Sequence, residues 1–213
     1  MITLFHNRSG SYIPLGGVYE VKNKSTTIKE ITAKVIRQSD NATLSLIWST
    51  FPSPICRRVA GNFETSFETA HPFKVEADTL APAFVEFVDK CANMDEVSNN
   101  ILYPVVCATM PIFSQPNATL PIVDGAVRAL PEYALAKIAL NDHFFWKADE
   151  YEMVITTIHS KGTFDKKYVF SLSDAESLRL RNNIDSVLIS HVANHFGIPV
   201  QMNTVTKDFK GKK

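Results

Sequence analysis

Apolar and polar positions alternate along this chain at two periods, and the changes of period divide it into elements. Ile2 to His6 and Gly17 to Val21 read as short strands on either side of a turn in which Gly10 takes a positive φ closed to most side chains. From Ser25 to Arg37 the residues Ile28, Ile31, Val35 and Ile36 fall at helical intervals, with Ser25 as cap. Threonines and β-branched residues there also suit a strand; helix is the reading preferred. Ala42 to Ser49 is a strand with Leu44, Leu46 and Trp48 on one face. Pro52 and Pro54 interrupt it before a second extended region, Gly61 to Ala77, where Phe63, Thr65 and Phe67 share a face.

Asp78 to Met94 then reads as an amphipathic helix capped by Asp78 or Thr79, with Leu80, Phe84, Phe87, Val88 and Cys91 as its buried stripe, and a short helix follows from Asp95. Tyr103 to Met110 is nearly all apolar and predicts a strand buried on both faces. Five prolines (Pro104, Pro111, Pro116, Pro121, Pro131) make 104–131 a long connection. Its Ile112, Phe113, Leu120 and Ile122 are apolar enough to pack against something, which marks Pro111 to Ala126 as a candidate contact arm for a protein partner.

Signals sharpen beyond it. Pro131 opens a helix to about Phe144. Tyr151 to His159 and Lys166 to Leu172 flank Ser160-Lys161-Gly162-Thr163 as a β-hairpin. Ser173 and Glu176 form a capping box for a helix running to Phe196, stopped by Gly197 and Pro199. A strand from Val200 to Val205 precedes a polar, basic tail, 206–213, that nothing marks as needed for packing. The mixed order of elements predicts α+β with a mainly antiparallel sheet and helices packed on one side. It is read as one domain over 1–205, with a subdivision near residue 115 allowed by the prolines.

Composition adds little until it is divided along the chain. The 213 residues carry 22 basic and 22 acidic groups, so the whole has no field favouring nucleic acid or an anionic membrane. Residues 1–62 nevertheless hold eight basic against three acidic groups and 63–100 two against eight, while 101–158 hold three against six and 159–213 nine against five. Such polarity suits one-sided contact with a charged partner or between copies. Three scattered cysteines, Cys56, Cys91 and Cys107, make no disulfide framework and point to the cytoplasm or another reducing interior. Cys91 and Cys107 read as core residues; Cys56, before Arg57 and Arg58, is the thiol whose neighbours favour the thiolate. The first 17 residues lack the pattern of a signal peptide, and no stretch approaches the roughly 20 apolar residues of a membrane helix. The Asn-X-Ser/Thr triplets at Asn7, Asn23, Asn41 and Asn117 are therefore read as turn chemistry.

Candidate chemistry is sparse. His191 and His195, one helical turn apart within an apolar stripe, have the spacing of a metal-gripping pair, but Val192 replaces the glutamate a zinc-protease helix places after its first histidine. A structural role near the helix end, against the dipole, is the preferred reading, with no metal and no cofactor. Nothing matches a nucleophile elbow or a phosphate loop. The function expected is a non-catalytic, protein-contacting subunit of a larger assembly, such as a virion, secretion or effector complex, with other subunits or copies of itself as partners. The alternative is nucleic-acid binding through Lys161, Lys166, Lys167, Lys207, Lys210, Lys212 and Lys213, with Tyr168 and Phe170 stacking on bases. An enzyme of unrecognised type comes third.

Overall fold

A computed structural model of the chain describes residues 2–7, 10–59, 62–89, 97–115, 118–208 and 210–211. The fold is α+β, dominated by one large antiparallel sheet. Its strands are β1 (Ile2–Asn7), β2 (Gly10–Glu20), β3 (Thr26–Arg37), β4 (Thr43–Val59), β5 (Asn62–Thr69), β6 (Phe73–Val75), β7 (Leu80–Asp89), β8 (Asp149–His159), β9 (Gly162–Leu172), β10 (Val205–Lys207) and β11 (Lys210–Gly211). Helices α1 (Tyr103–Phe113), α2 (Leu120–Arg128) and α3 (Pro131–Asp142) lie between β7 and β8; α4 (Asp174–Arg181), α5 (Asn183–Leu188) and α6 (Ser190–His195) lie between β9 and β10.

The strand order is β10-β1-β2-β7-β4-β3-β8-β9-β11, with β5 on β4 and β6 on β3. Its two ends are one short piece of chain. Val205 and Lys207 pair with Leu4 and Ile2 on β1, whereas Lys210 and Gly211 pair with Val169 and Tyr168 on β9. In a flat sheet six spacings of about 4.8 Å would separate β1 from β9. Three residues of chain span at most about 10 Å, so the sheet must curl until those two strands approach each other. A second marker agrees: Tyr19 Oη on β2 lies 3.1 Å from Thr157 Oγ1 on β8, although β7, β4 and β3 intervene in the sheet.

Period-two alternation gives the curl an inner face. Ile13, Val35, Leu46, Phe87 and Met153 on successive strands are buried in one cluster. Towards one end this core is filled by rings: Trp146 packs on Tyr151 at 5.6 Å, and Tyr151 stacks on Phe170 at 5.2 Å. Trp146 Nε1 donates to Phe5 O, and its own carbonyl accepts from Ser177 Oγ, which ties α4 to that end. Buried Asn183 on α5 donates to His6 O and Asn203 O and accepts from Asn203 N.

Several expectations are met. The hairpin β8–β9 turns as read, with Gly162 at φ +149°, and Ser173 and Glu176 form both bonds of the capping box. Asn23 and Asn41 sit at positive φ, as turn residues do, and Gly197 at +67° ends α6.

Other expectations are corrected. The segment preferred as a helix from Ser25 to Arg37 is β3, a central strand whose β-branched residues pack on the pleat between β4 and β8. The helix expected over Asp78 to Met94 is replaced over Leu80–Asp89 by β7, and 90–94 lie outside the described residues: Phe87 is buried, but Leu80 and Phe84 of the supposed stripe are 69% and 40% exposed, because Val85, Ala83 and Phe87 form the inner row by period two. Cys91 lies outside the described residues. Tyr103 to Met110 is not a strand but most of α1, which buries Val105 and Thr109, four residues apart. Cys107 is consequently exposed on that helix. The Pro-rich connection is largely helical, because Pro104, Pro121 and Pro131 stand in first turns, where the missing N–H has no partner to lose. Pro52 and Pro54 do not end β4; its pairing with β5 shifts register between Pro52 and Cys56. The single helix expected up to Phe196 is three short ones, and the last strand begins at Val205 rather than Val200. The tail is engaged as well: Lys207 donates to both Glu176 carboxylate oxygens, at 2.8 and 3.0 Å.

Candidate functional site: the open end of the curled sheet

Opposite the ring-filled end, the inner face is not filled. A cavity of about 790 Å³ is lined by β2, β3, β7, β8 and β9. The position of each lining group follows from strand alternation. On β8 the inner row reads Tyr151, Met153, Ile155, Thr157, His159, apolar and buried until Ile155 and polar beyond it. The antiparallel partner β9 runs the other way, Leu172, Phe170, Tyr168, Lys166, Phe164, and also changes character where it reaches the cavity. Leu15, Gly17 and Tyr19 come from β2, Val21 from just beyond its end, and Thr26, Ile28 and Ile31 from β3. The floor is therefore aliphatic, formed by Leu15, Ile28, Ile31, Val85 and Ile155.

Polar groups of the wall hold strands to one another. Tyr19 bonds to Thr157 across the cavity, and burial raises the Tyr19 phenol above its usual pKa. The Lys161 backbone N–H donates to His159 Nδ1, which places the proton of a neutral His159 on Nε2; Thr26 Oγ1 is 3.3 Å from the same Nδ1. Lys161 Nζ donates to Lys24 O at 3.1 Å, joining the β8–β9 turn to the β2–β3 turn. Around the mouth stand Lys22, Lys161 and Lys166 with one carboxylate, Glu20, and the half-exposed ring of Phe164.

Two adjacent glycines on β2 have opposite roles. A Cβ on Gly16 would lie 2.9 Å from the Phe84 ring, so that ring covers the strand's outer face there. A Cβ on Gly17 would meet nothing within 4 Å, and by alternation it points inward, between Leu15 and Tyr19. Glycine at this position widens the mouth.

The residues singled out in the sequence are distributed unevenly. Lys161, Lys166 and Tyr168 meet at this cavity; Lys167 points away and lies 3.7 Å from Glu152. Phe170 is buried against Tyr151 rather than presented to a base. Lys207 is held by Glu176, Lys210 belongs to β11, and Lys212 and Lys213 lie outside the described residues. His191 and His195 both face α1. His191 Nε2 is 3.0 Å from Thr109 Oγ1, and the His195 ring stacks on Phe113 at 4.0 Å. Burial lowers the His191 pKa. Among the described residues no three His, Cys, Asp or Glu side chains group as metal ligands would. Ile112, Phe113 and Leu120 are half-buried against the main core, whereas Ile122 is exposed on α2. Cys56 sits on β4 opposite Thr65. No helix among the described residues is long and apolar enough to cross a membrane. Comparison with family models, curated proteins and solved structures finds no match.

The sequence contained little local sign of this cavity. Its lining comes from five strands between Leu15 and Tyr168, and the only signals on offer were the Gly16-Gly17 pair and the switch from apolar to polar along β8.

Proposed function

We propose that this protein is a non-catalytic binding protein whose curled sheet holds a small molecule at its open end. The observation that carries the reading is the cavity itself. About 790 Å³ lies within the range of roughly 300–1,000 Å³ typical of small-molecule sites. An aliphatic floor with a few convergent polar groups is the usual composition of such sites. Tyr19, Thr157, Thr26, His159 and Lys161 of its lining join walls to one another, which is the work of a shaped container.

The experiment is titration with the neutral, environment-sensitive dye N-phenyl-1-naphthylamine. Saturable fluorescence enhancement near one dye per chain is expected, and Gly17→Phe, which fills the mouth without backbone strain, should abolish it while leaving the thermal unfolding midpoint unchanged. Absence of saturable binding, or binding unaltered in a folded Gly17→Phe, would overturn the reading.

A second reading, the subunit of a larger assembly, is favoured by a different observation. Tyr103 and Met110 on α1, Ile122 on α2 and Leu135 and Ile138 on α3 are all more than half exposed. We infer that these helices cover one side of the sheet and present that apolar surface outward. Light scattering on the purified chain tests this: a discrete oligomer is expected, and a monomer at high concentration removes self-association.

A further inference from the structure

We propose that the molecule this cavity takes is a single-chain amphipathic anion, with its chain on the aliphatic floor and its anionic head at the lysines of the mouth. The inference rests on the cavity being a ligand site and adds the chemistry of the ligand.

Two gradients coincide in the same space. Apolarity is concentrated on the floor formed by Leu15, Ile28, Val85 and Ile155, and charge at its rim, where Lys166 stands opposite Ile155 on the neighbouring strand and Lys22 and Lys161 lie at the turns. There, three cations face one carboxylate: Lys22, Lys161 and Lys166 against Glu20. Away from the mouth, Lys74–Glu76, Lys137–Asp185 and Lys207–Glu176 are paired at 2.8 Å each, whereas Lys24, Lys29, Lys34 and Lys147 make no ion pair among the described residues. Among the described residues, Lys22, Lys161 and Lys166 make no such pair, so the mouth keeps an excess of positive charge.

Lys161 is also aimed. Its Nζ donates one N–H to Lys24 O, which fixes the ammonium beside the rim and leaves two donors free. The Nε2–H of His159 adds a further donor on the same wall. A rim so rich in donors needs an acceptor, and a carboxylate-like head supplies acceptors only. A neutral head leaves the excess charge unmatched, and a cationic head is repelled by it. A doubly charged head on two chains would need more apolar floor than five aliphatic side chains provide.

The test uses the full chain and three ligands with identical tails: dodecanoate, dodecan-1-ol and dodecyltrimethylammonium. Each competes with N-phenyl-1-naphthylamine at pH 8, low salt, and below its critical micelle concentration. Dodecanoate is expected to displace the dye at about tenfold lower concentration than dodecan-1-ol, with dodecyltrimethylammonium weakest. Lys161→Met and Lys166→Met, which keep much of the aliphatic stem, should each weaken dodecanoate about fivefold and leave dodecan-1-ol unchanged. Equal displacement by all three, or preference for the cation, would overturn the assignment of the head while the cavity stands. Failure of all three to displace a bound dye would overturn the assignment of the chain. Failure of the dye itself to bind would remove the cavity reading and this inference with it.

Discussion

His6 should make the stability of this protein fall with pH more steeply than its carboxylates alone would. The side chain is 5% exposed on β1, edge-on to the Phe144 ring at 5.0 Å, and its Nδ1 has no hydrogen-bond partner among the described residues. Burial favours the neutral ring and lowers its pKa from 6.5 to about 4. In the unfolded chain the ring titrates near 6.5. Between those two values the unfolded state binds a proton that the folded state refuses, so stability is intact above 6.5, declines as pH falls towards 4, and declines no further below it.

The full effect of 2.5 units at 1.36 kcal/mol each is about 3.4 kcal/mol, of which about 2 kcal/mol is lost by pH 5. Urea unfolding of the natural protein and of His6→Phe at pH 7 and pH 5 measures it. Phenylalanine keeps a ring against Phe144 and cannot titrate. The carboxylates of Asp40, Asp149, Glu176 and Asp185, each held below the usual range by hydrogen bonds and nearby positive charge, are common to both proteins and cancel. The natural protein should therefore lose about 2 kcal/mol more than the variant between the two pH values. Equal losses would show that His6 is protonated while folded, and the reasoning from its burial would be refuted.

Asn183→Ala should cost about 3 kcal/mol in urea unfolding, since it removes three bonds to buried or half-buried backbone groups at once; a cost below about 1 kcal/mol would mean water replaces them. Ser173→Ala removes half of the capping box of α4 and should cost about 1 kcal/mol, with no change at the dye site. Deleting 206–213 removes the pairing of that segment with β1 and β9 and the Lys207–Glu176 ion pair; a loss of about 2 kcal/mol is expected, and an unchanged urea midpoint would show that the sheet stays curled without it.

What the sequence disclosed and what it withheld divide along a physical line. Local chemistry was legible: the turn at Gly162, the capping box at Ser173 and the first-turn proline at Pro131 each act within a few residues. Period was not enough where two periods fit. Leu80, Phe84, Phe87 and Val88 satisfy helical spacing, and Ala83, Val85 and Phe87 satisfy strand spacing in the same segment; pairing with β2 and β4, dozens of residues away, settles it. Proline density misled in the opposite direction, because a proline that breaks a helix interior also starts a helix. Lys161, Lys166 and Tyr168 were visible as a basic, aromatic hairpin, but their meaning depended on the curl that sets β2 opposite them. That curl is a property of the whole strand order.

The same curl argues that the cavity is a built space and not a gap left in the core. A packing defect would be walled by the apolar residues that failed to meet. Here polar side chains line the space from four separate strands: Tyr19 on β2, Thr26 on β3, Thr157 and His159 on β8, Lys166 on β9. The Tyr19–Thr157 bond spans the space and joins strands with three others between them in the sheet. If it holds the walls at that distance, Tyr19→Phe and Thr157→Val should not act independently. Each alone should cost about 1 kcal/mol, and the double variant should cost about 1 kcal/mol less than their sum. Dye affinity should fall in both single variants, because a wall released on one side no longer keeps the shape of the site. Additive stabilities with dye binding unchanged would mean that the two strands are positioned by the C-terminal segment alone and that the bond across the cavity is incidental.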